Sequence, residues 1–444
     1  MGDHGREQAL VEALARGVSA VADLATALGR SAVTVSRQLR ALERDGRVVR
    51  TGTTRGARYY GCRSGSVAAA GLPLYRVTVA GDVQAVGSVH ALAGERYLSR
   101  STLPRLTSLS DGLPYFLQDA RPAGFLGRAL PAAWPELELP ARVTDWTDEH
   151  CLRFLSQRGS DVPGDLVLGT VALDRWWQDT TAPVPVADRS EVYPRLAAAA
   201  LAGDPPGSSA QGEQPKFTVC VLGRDGPSHR LVKFSPPVAT SAGRRWADLL
   251  CAEAEAHALL RERGIAAAKS EWFLSAGRAY LDVERFDRQG ARGRLGVVSL
   301  HAYDAHHYAR LDSWTAAAGR LRHDGIVSAP CARQLALLDA FGHLIDNNDR
   351  HFGNVSFFDD RRGVLALAPV YDMLPMQHAP RDTEPVPATR VRAAPRTEWL
   401  GVWNEARSMA LEYWQRVAAL PLGDPAFAAI ATSRAADLAL APTV

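Results

Sequence analysis

Between Arg6 and Arg16 the apolar residues Leu10, Leu14 and Ala15 fall on one helical face, and Val21–Leu28 reads as a second short helix, broken by Gly29-Arg30. Ser31 is placed to N-cap a third helix, Ala32–Arg44, in which Val35, Leu39 and Leu42 are spaced for burial, and Gly46 ends it. Two β-rich stretches follow, Arg47–Thr51 and Ala57–Gly61, joined by a Gly- and Thr-rich turn. Helix, helix-turn-helix and a two-stranded wing is the winged-helix order. Further along, the pattern predicts strands at Phe217–Leu222, Arg230–Phe234 and Ala279–Val283, with a long helix, Arg245–Arg263, among them. An apolar helical stretch, Leu335–Ile345, precedes two short strands, Val355–Phe358 and Val364–Leu367. Trp403–Leu420 and Ala426–Leu440 read as closing amphipathic helices.

Charge sharpens the reading of the first unit. Residues 30–58 hold eight arginines against Glu43 and Asp45, in a chain whose total charge is only +3. Thr34, Ser36, Arg37 and Arg40 lie on the polar face of the third helix, where they face base edges and phosphates; Arg50, Arg55 and Arg58 let the wing reach the backbone. The expected partner is double-stranded DNA. The competing reading is a small helical domain with a solvated basic face, or a protein-docking module.

Composition bounds the rest. The 444 residues are 46% hydrophobic and 22% charged, which is globular and excludes a disordered chain. The longest apolar runs, such as Leu196–Ala202, fall far short of the ~20 residues of a membrane span. The N-terminus has no apolar core of signal-peptide type, so the expectation is a cytoplasmic protein with no membrane partner. Five scattered cysteines without a CxxC pair argue against a disulfide framework or a zinc knuckle. Only Lys216, Lys233 and Lys269 among the 51 basic residues are lysine. A lysine kept in so arginine-rich a chain marks a place where a compact ammonium cannot be replaced by a planar fork.

The dense polar cluster Ile345-Asp346-Asn347-Asn348-Asp349-Arg350-His351-Phe352-Gly353-Asn354 carries the clearest chemistry. An Asp, an Asn five residues on, a β-hairpin and then Asp372 is the order that phosphotransferases of the protein-kinase type require. Asp349 is then the base that orients the acceptor hydroxyl, and Asn354 and Asp372 are ligands for Mg²⁺. The competing reading is a solvated loop of turn-forming residues. The ATP side is upstream and in order. The Gly/Ser-rich segment Asp204–Phe217, with Gly212 and Lys216, is a candidate phosphate loop, although it is neither GxGxxG nor a Walker A sequence. Lys233 sits on a strand, suited to the phosphates of ATP. Glu253 or Glu255 on the long helix is its candidate partner, with Glu255 the one that reads more as an ordinary solvated helix charge. Glu284-Arg285-Phe286 follows the strand that would face adenine. Asp304, His306 and His307 belong to a helix surface rather than a metal site.

The strings GSSAQGEQPKF, VKF, VERFDR, DNNDRHFGN and APVYDMLP resemble the HipA family of toxin-type serine/threonine kinases, as do residues 111–128 and 158–169. The resemblance runs over about residues 70–420 and is nearest to the YjjJ-like branch, which carries a winged helix-turn-helix before the kinase. It implies that Asp349 is the catalytic aspartate, that His351 lies near the nucleotide, and that Asn354 and Asp372 hold the metal. It further implies Lys233 on the phosphates, the backbone of Glu284 and Phe286 against adenine, and autophosphorylation at Ser209, with Ser208 as runner-up. A phosphate there would bring negative charge beside those of ATP and switch the enzyme off. Gln211 and Arg350 depart from the family pattern without removing a required group. A protein substrate and an antitoxin are the partners so implied, and the winged helix adds a homodimer on two half-sites.

The expectation is therefore an α+β chain in three units. These are a winged helix-turn-helix at 1–62, a mixed α/β N-terminal lobe with the phosphate loop at 66–285, and a mainly helical C-terminal lobe at 286–444. The cofactors would be ATP and Mg²⁺, in the cleft between the lobes. A DNA-binding regulator whose kinase-like part senses nucleotide, and a small-molecule kinase, are the alternatives.

Overall fold

The computed structural model describes residues 3–17, 19–179, 182–203, 214–380, 394–421 and 423–444. Ser208, Ser209, Gln211 and Gly212 lie outside the described residues, as does the side chain of Arg55.

Local signals set the first elements. Helices span Asp3–Ala15, Val21–Leu28 and Ala32–Arg44. Gly29 closes the second in the left-handed region (φ 62°), and Ser31 Oγ accepts the Thr34 N–H at 3.2 Å to start the third. An antiparallel hairpin, Val48–Thr51 with Arg58–Gly61, follows. Leu10, Leu24, Val35, Leu39 and Tyr59 close a core of their own. The hairpin is not a free wing. Its Val49 and Tyr60 pack on Leu92 and Leu98 of the next sheet, and Arg63 donates its N–H to Ala91 O at 2.9 Å. The Arg63 guanidinium continues the tether, reaching Leu92 O and Tyr97 Oη. No loose linker separates the two parts.

Residues 66–285 build two sheets rather than one. The first runs Ser108–Asp111, Arg96–Ser101, Val83–Ala91, Leu72–Val77, Leu166–Leu168 in spatial order, antiparallel throughout. The second runs Ser270–Ser275, Arg278–Glu284, Gly226–Phe234, Lys216–Gly223, Val184–Pro185, with only the last pair parallel. The helix Ser241–Glu262 lays Ala247, Leu250 and Ala254 on Ala279, Leu281 and Val283 of this sheet.

Beyond it the chain is mainly helical: Leu300–His307, Trp314–His323, Ala329–Leu344, Trp403–Ala419 and Pro425–Ala439. Trp399, Trp403 and Trp414 are fully buried there, and each indole N–H has an acceptor. A buried indole contributes heavily to such a core only when that N–H is satisfied. Among the described residues no helix is long and apolar enough to cross a membrane.

Candidate active site

Strand alternation positions the first group. Val232 and Phe234 point into the core behind the sheet, so Lys233 between them faces the helix Ser241–Glu262. Its Nζ donates to both carboxylate oxygens of Glu253, at 2.7 and 2.8 Å, and also to Asp372. Glu255 lies about 200° around the helix from Glu253 and cannot share that face. His257, one turn on, brings Nε2 to 3.8 Å from Glu253. Burial holds that imidazole neutral, its pKa pushed down to about 3.

The helix Ala329–Leu344 delivers the chain into the polar cluster. Asp346, buried and at φ 59°, accepts from Arg434 at 2.6 Å and pairs with His378 at 2.9 Å. Asn347 then spans the site: its Oδ1 accepts the Asp349 N–H at 3.0 Å, and its Nδ2 donates to Asp372 O at 3.2 Å. Asn354 donates Nδ2 to Asp349 O at 2.9 Å, and His351 Nδ1 accepts the Gly353 N–H at 3.0 Å. Arg350 turns away from the site, onto Asp339 at 3.2 Å and the Asn347 carbonyl. The hairpin forms as Ser356–Phe358 with Ala366–Leu367, and Tyr371 beyond it donates to Gly353 O at 2.7 Å. Asp372 itself sits at φ 52°, a left-handed conformation that a non-glycine residue adopts only where its surroundings hold it.

A cavity of about 220 Å³ collects the groups that the sequence scattered over residues 216–372. Lys216, Lys233, Glu253, Glu284, Phe286, Asp349, His351, Asn354 and Asp372 all line it. Phe286 packs its ring against Tyr371 and Phe358. Sequence reading missed Asn347 and also Asp119, a lining carboxylate from the segment after the first sheet, which accepts the Ser299 N–H at 2.6 Å. Both stand in segments that carry the family resemblance, DNNDRHFGN and residues 111–128, but neither was given a role there.

Charge in the cavity is tightly matched. Burial lowers the Lys216 ammonium to about 8, with the neighbouring Asp372 opposing that shift. Burial works against Lys233 too, but Asp372 and Glu253 outweigh it and raise its pKa. For Asp372 burial is overcome by the ammonium groups of Lys233 and Lys216, which hold its carboxyl at about 2. Burial raises Asp349 and Glu253. The donor set suits a hard dication: Asn354 uses its amide nitrogen on Asp349 O and keeps its oxygen for a ligand, and Asp372 is ionised beside it.

The remaining sequence candidates lie apart. Arg37, Arg40 and Arg58 are exposed, while Thr34 and Ser36 are half-buried and Thr34 Oγ1 bonds Ser31 Oγ at 2.9 Å. Arg50 rests against the Tyr59 ring rather than extending outward. Asp304 is a buried anchor that accepts two backbone N–H groups, from Arg310 and Leu311, and pairs with Arg320. His306 and His307 pack on Tyr115.

Comparison with known proteins identifies the family. Residues 68–177 match the family described as YjjJ-like toxin, middle domain, and residues 208–436 match the HipA-like C-terminal domain. Toxin YjjJ of Escherichia coli (strain K12) is 34% identical over 430 residues, covering 95% of both chains. Among solved structures, a chain from the complex of HipA, HipB and operator DNA of the Shewanella oneidensis MR-1 toxin–antitoxin system aligns with 83% of this chain and 95% of its own length. At a TM-score of 0.52 and 15% identity, that likeness is one of fold. With more than half the chain inside one family match and a relative of this identity along nearly its whole length, the chain belongs to the HipA family, in its YjjJ-like toxin branch.

Proposed function

We propose that this chain is an ATP- and Mg²⁺-dependent serine/threonine protein kinase of toxin type. The observation that carries this reading is the bidentate Lys233–Glu253 pair, which shares its ammonium with Asp372 in the same cavity as Asp349 and Asn354. A kinase needs that pairing of a strand lysine, a helix glutamate and a metal-binding aspartate in place together. Lys233 and Lys216, with the loop through Gly212, hold the phosphates, and the backbone at Glu284 and Phe286 receives adenine. Asn354 and Asp372 hold the metal, which when bound neutralises charge developing on the transferred group. Asp349 takes or orients the proton of the acceptor hydroxyl, and Asn347 and Asn354 fix its backbone from both sides. His351, which also lines the cavity, lies near the nucleotide in this reading.

The same reading makes Ser209, or Ser208, the site of self-modification. It divides the chain into a winged helix at 1–62, an N-terminal lobe at 66–285 and a helical lobe at 286–444. Thr34, Ser36, Arg37, Arg40, Arg55 and Arg58 would meet double-stranded DNA, for autoregulation or targeting. A protein substrate, an antitoxin and a second copy of the chain complete the partners of a cytoplasmic protein. The test is incubation with Mg²⁺ and γ-labelled ATP beside Asp349→Ala, followed by phosphopeptide mapping. Label on Ser208 or Ser209 in the unmodified protein alone is expected. Bound ATP without transfer would replace this reading with a nucleotide-sensing regulator.

A further inference from the structure

A second cavity, of about 560 Å³, opens beside the strands Lys216–Gly223 and Gly226–Phe234, outside the site described above. Its size is that of a small-molecule pocket. Five arginines line it against two aspartates, Asp161 and Asp179, and most of the five are already engaged. Arg288 is spent on Asp161 and Asp287, Arg158 on Glu136, and Arg292 on the carbonyls of Trp176, Trp177 and Asp179.

Arg294 is different. Only 3% exposed, it gives Nη2 to the Ser160 carbonyl, while its Nη1 has no hydrogen-bond partner and it forms no ion pair among the described residues. Burial and the neighbouring Arg288 and Arg285 push its pKa down to about 9, with Asp161 and Asp287 opposing that shift. A buried guanidinium left short of an acceptor is costly, and a planar fork of this kind is complementary to phosphate oxygens. Arg175 is an exposed second cation on the same lining.

We infer that this cavity is a binding site for a small phosphate-bearing anion, held by Arg294 at its buried end and by Arg175 where it opens. It stands back to back with the nucleotide cavity, and Thr218 lines both. The site belongs to the folded chain alone, because its arginines come from segments as far apart as residues 158–175 and 288–294.

Cys220 supplies a local reporter, since its half-buried thiol lines this cavity and not the other. The experiment is labelling of the full chain with N-ethylmaleimide, read by peptide mass mapping, across a titration of inorganic pyrophosphate and, separately, of phenyl phosphate. Saturable protection of Cys220 by either probe is expected. Arg294→Gln should raise the half-protecting concentration about tenfold or more, and the exposed Arg175→Ser roughly fivefold. Arg175→Ser carries the test if Arg294→Gln fails to fold, because the Arg175 side chain is exposed and forms no hydrogen bond or ion pair among the described residues. In Lys233→Met the protection should persist unchanged. Protection that disappears in Lys233→Met would put the anion in the nucleotide cavity, and protection equal in Arg175→Ser and the unmodified protein, or none at all, would equally overturn the proposal. None of these outcomes depends on whether the chain transfers phosphate.

Discussion

Replacing Lys233 with Met removes the ammonium that hydrogen-bonds both oxygens of Glu253, a carboxylate with no exposed surface. The neighbouring His257 is neutral in the parent, first through burial and then through the charge of Lys233 itself, so it brings no ready-made cation to Glu253. An unpaired buried charge of this kind costs about 3–5 kcal/mol. Glu253 can escape part of that cost by taking up a proton, since burial already raises its pKa. A carboxyl whose folded pKa stands above its unfolded one adds stability below the unfolded value, and loses it as pH rises through the folded value. The variant should therefore be close to the parent in mildly acid buffer and about 3 kcal/mol weaker in mildly alkaline buffer. Adding Glu253→Gln removes the charge and should return most of the loss, a coupling of about 2 kcal/mol between neighbours that share one interaction. Urea unfolding followed by tryptophan fluorescence at the two pH values measures the parent, Lys233→Met, Glu253→Gln and the double variant. A loss below about 1 kcal/mol at alkaline pH, or a double variant no more stable than Lys233→Met, would refute the reasoning.

Lys216 should behave in the opposite way. Its folded pKa, about 8, lies below the ordinary lysine value, so stability is depressed below pH 8 and recovers as pH rises toward 10.5. Lys216→Met should thus raise the unfolding free energy at neutral pH, by an amount on the order of 2 kcal/mol that fades at high pH, while weakening ATP binding in a filter or calorimetric assay. Asn347→Ala frees both the Asp349 N–H and the Asp372 carbonyl, so steady-state assays should find kcat reduced roughly tenfold to a hundredfold with a smaller change in KM for ATP. Arg37→Ala and Arg40→Ala should each lower affinity for duplex DNA and reduce the slope of log affinity against log salt by about 1, measured by fluorescence anisotropy.

Much of this architecture is written in short-range signals. Gly29 ends the helix Val21–Leu28 and Ser31 begins the helix Ala32–Arg44, through backbone freedom and a hydrogen bond that involve only a few neighbouring residues. Two of the three lysines retained in this arginine-rich chain, Lys216 and Lys233, are buried in the same cavity, while Lys269 is exposed. The order Asp349, Asn354, hairpin, Asp372 was legible because each of those residues belongs to a recognisable segment.

Other features needed the third dimension. Glu253 and Glu255 look alike along the chain, and only the packing of their helix on the sheet decides which one loses its water and meets Lys233. Val49 and Tyr60 read as ordinary wing residues until Leu92 and Leu98 cover them, so the docking of the hairpin was invisible. Asn347 passed for a turn residue, yet its amide joins Asp349 to Asp372 across the hairpin. Arg294 was one arginine among 48 until burial left its Nη1 without a hydrogen-bond partner among the described residues. Caps, turns and periodicity are settled by contacts within a few residues of one another. The pairing of buried charge is settled by desolvation, which exists only once distant segments have closed over the site.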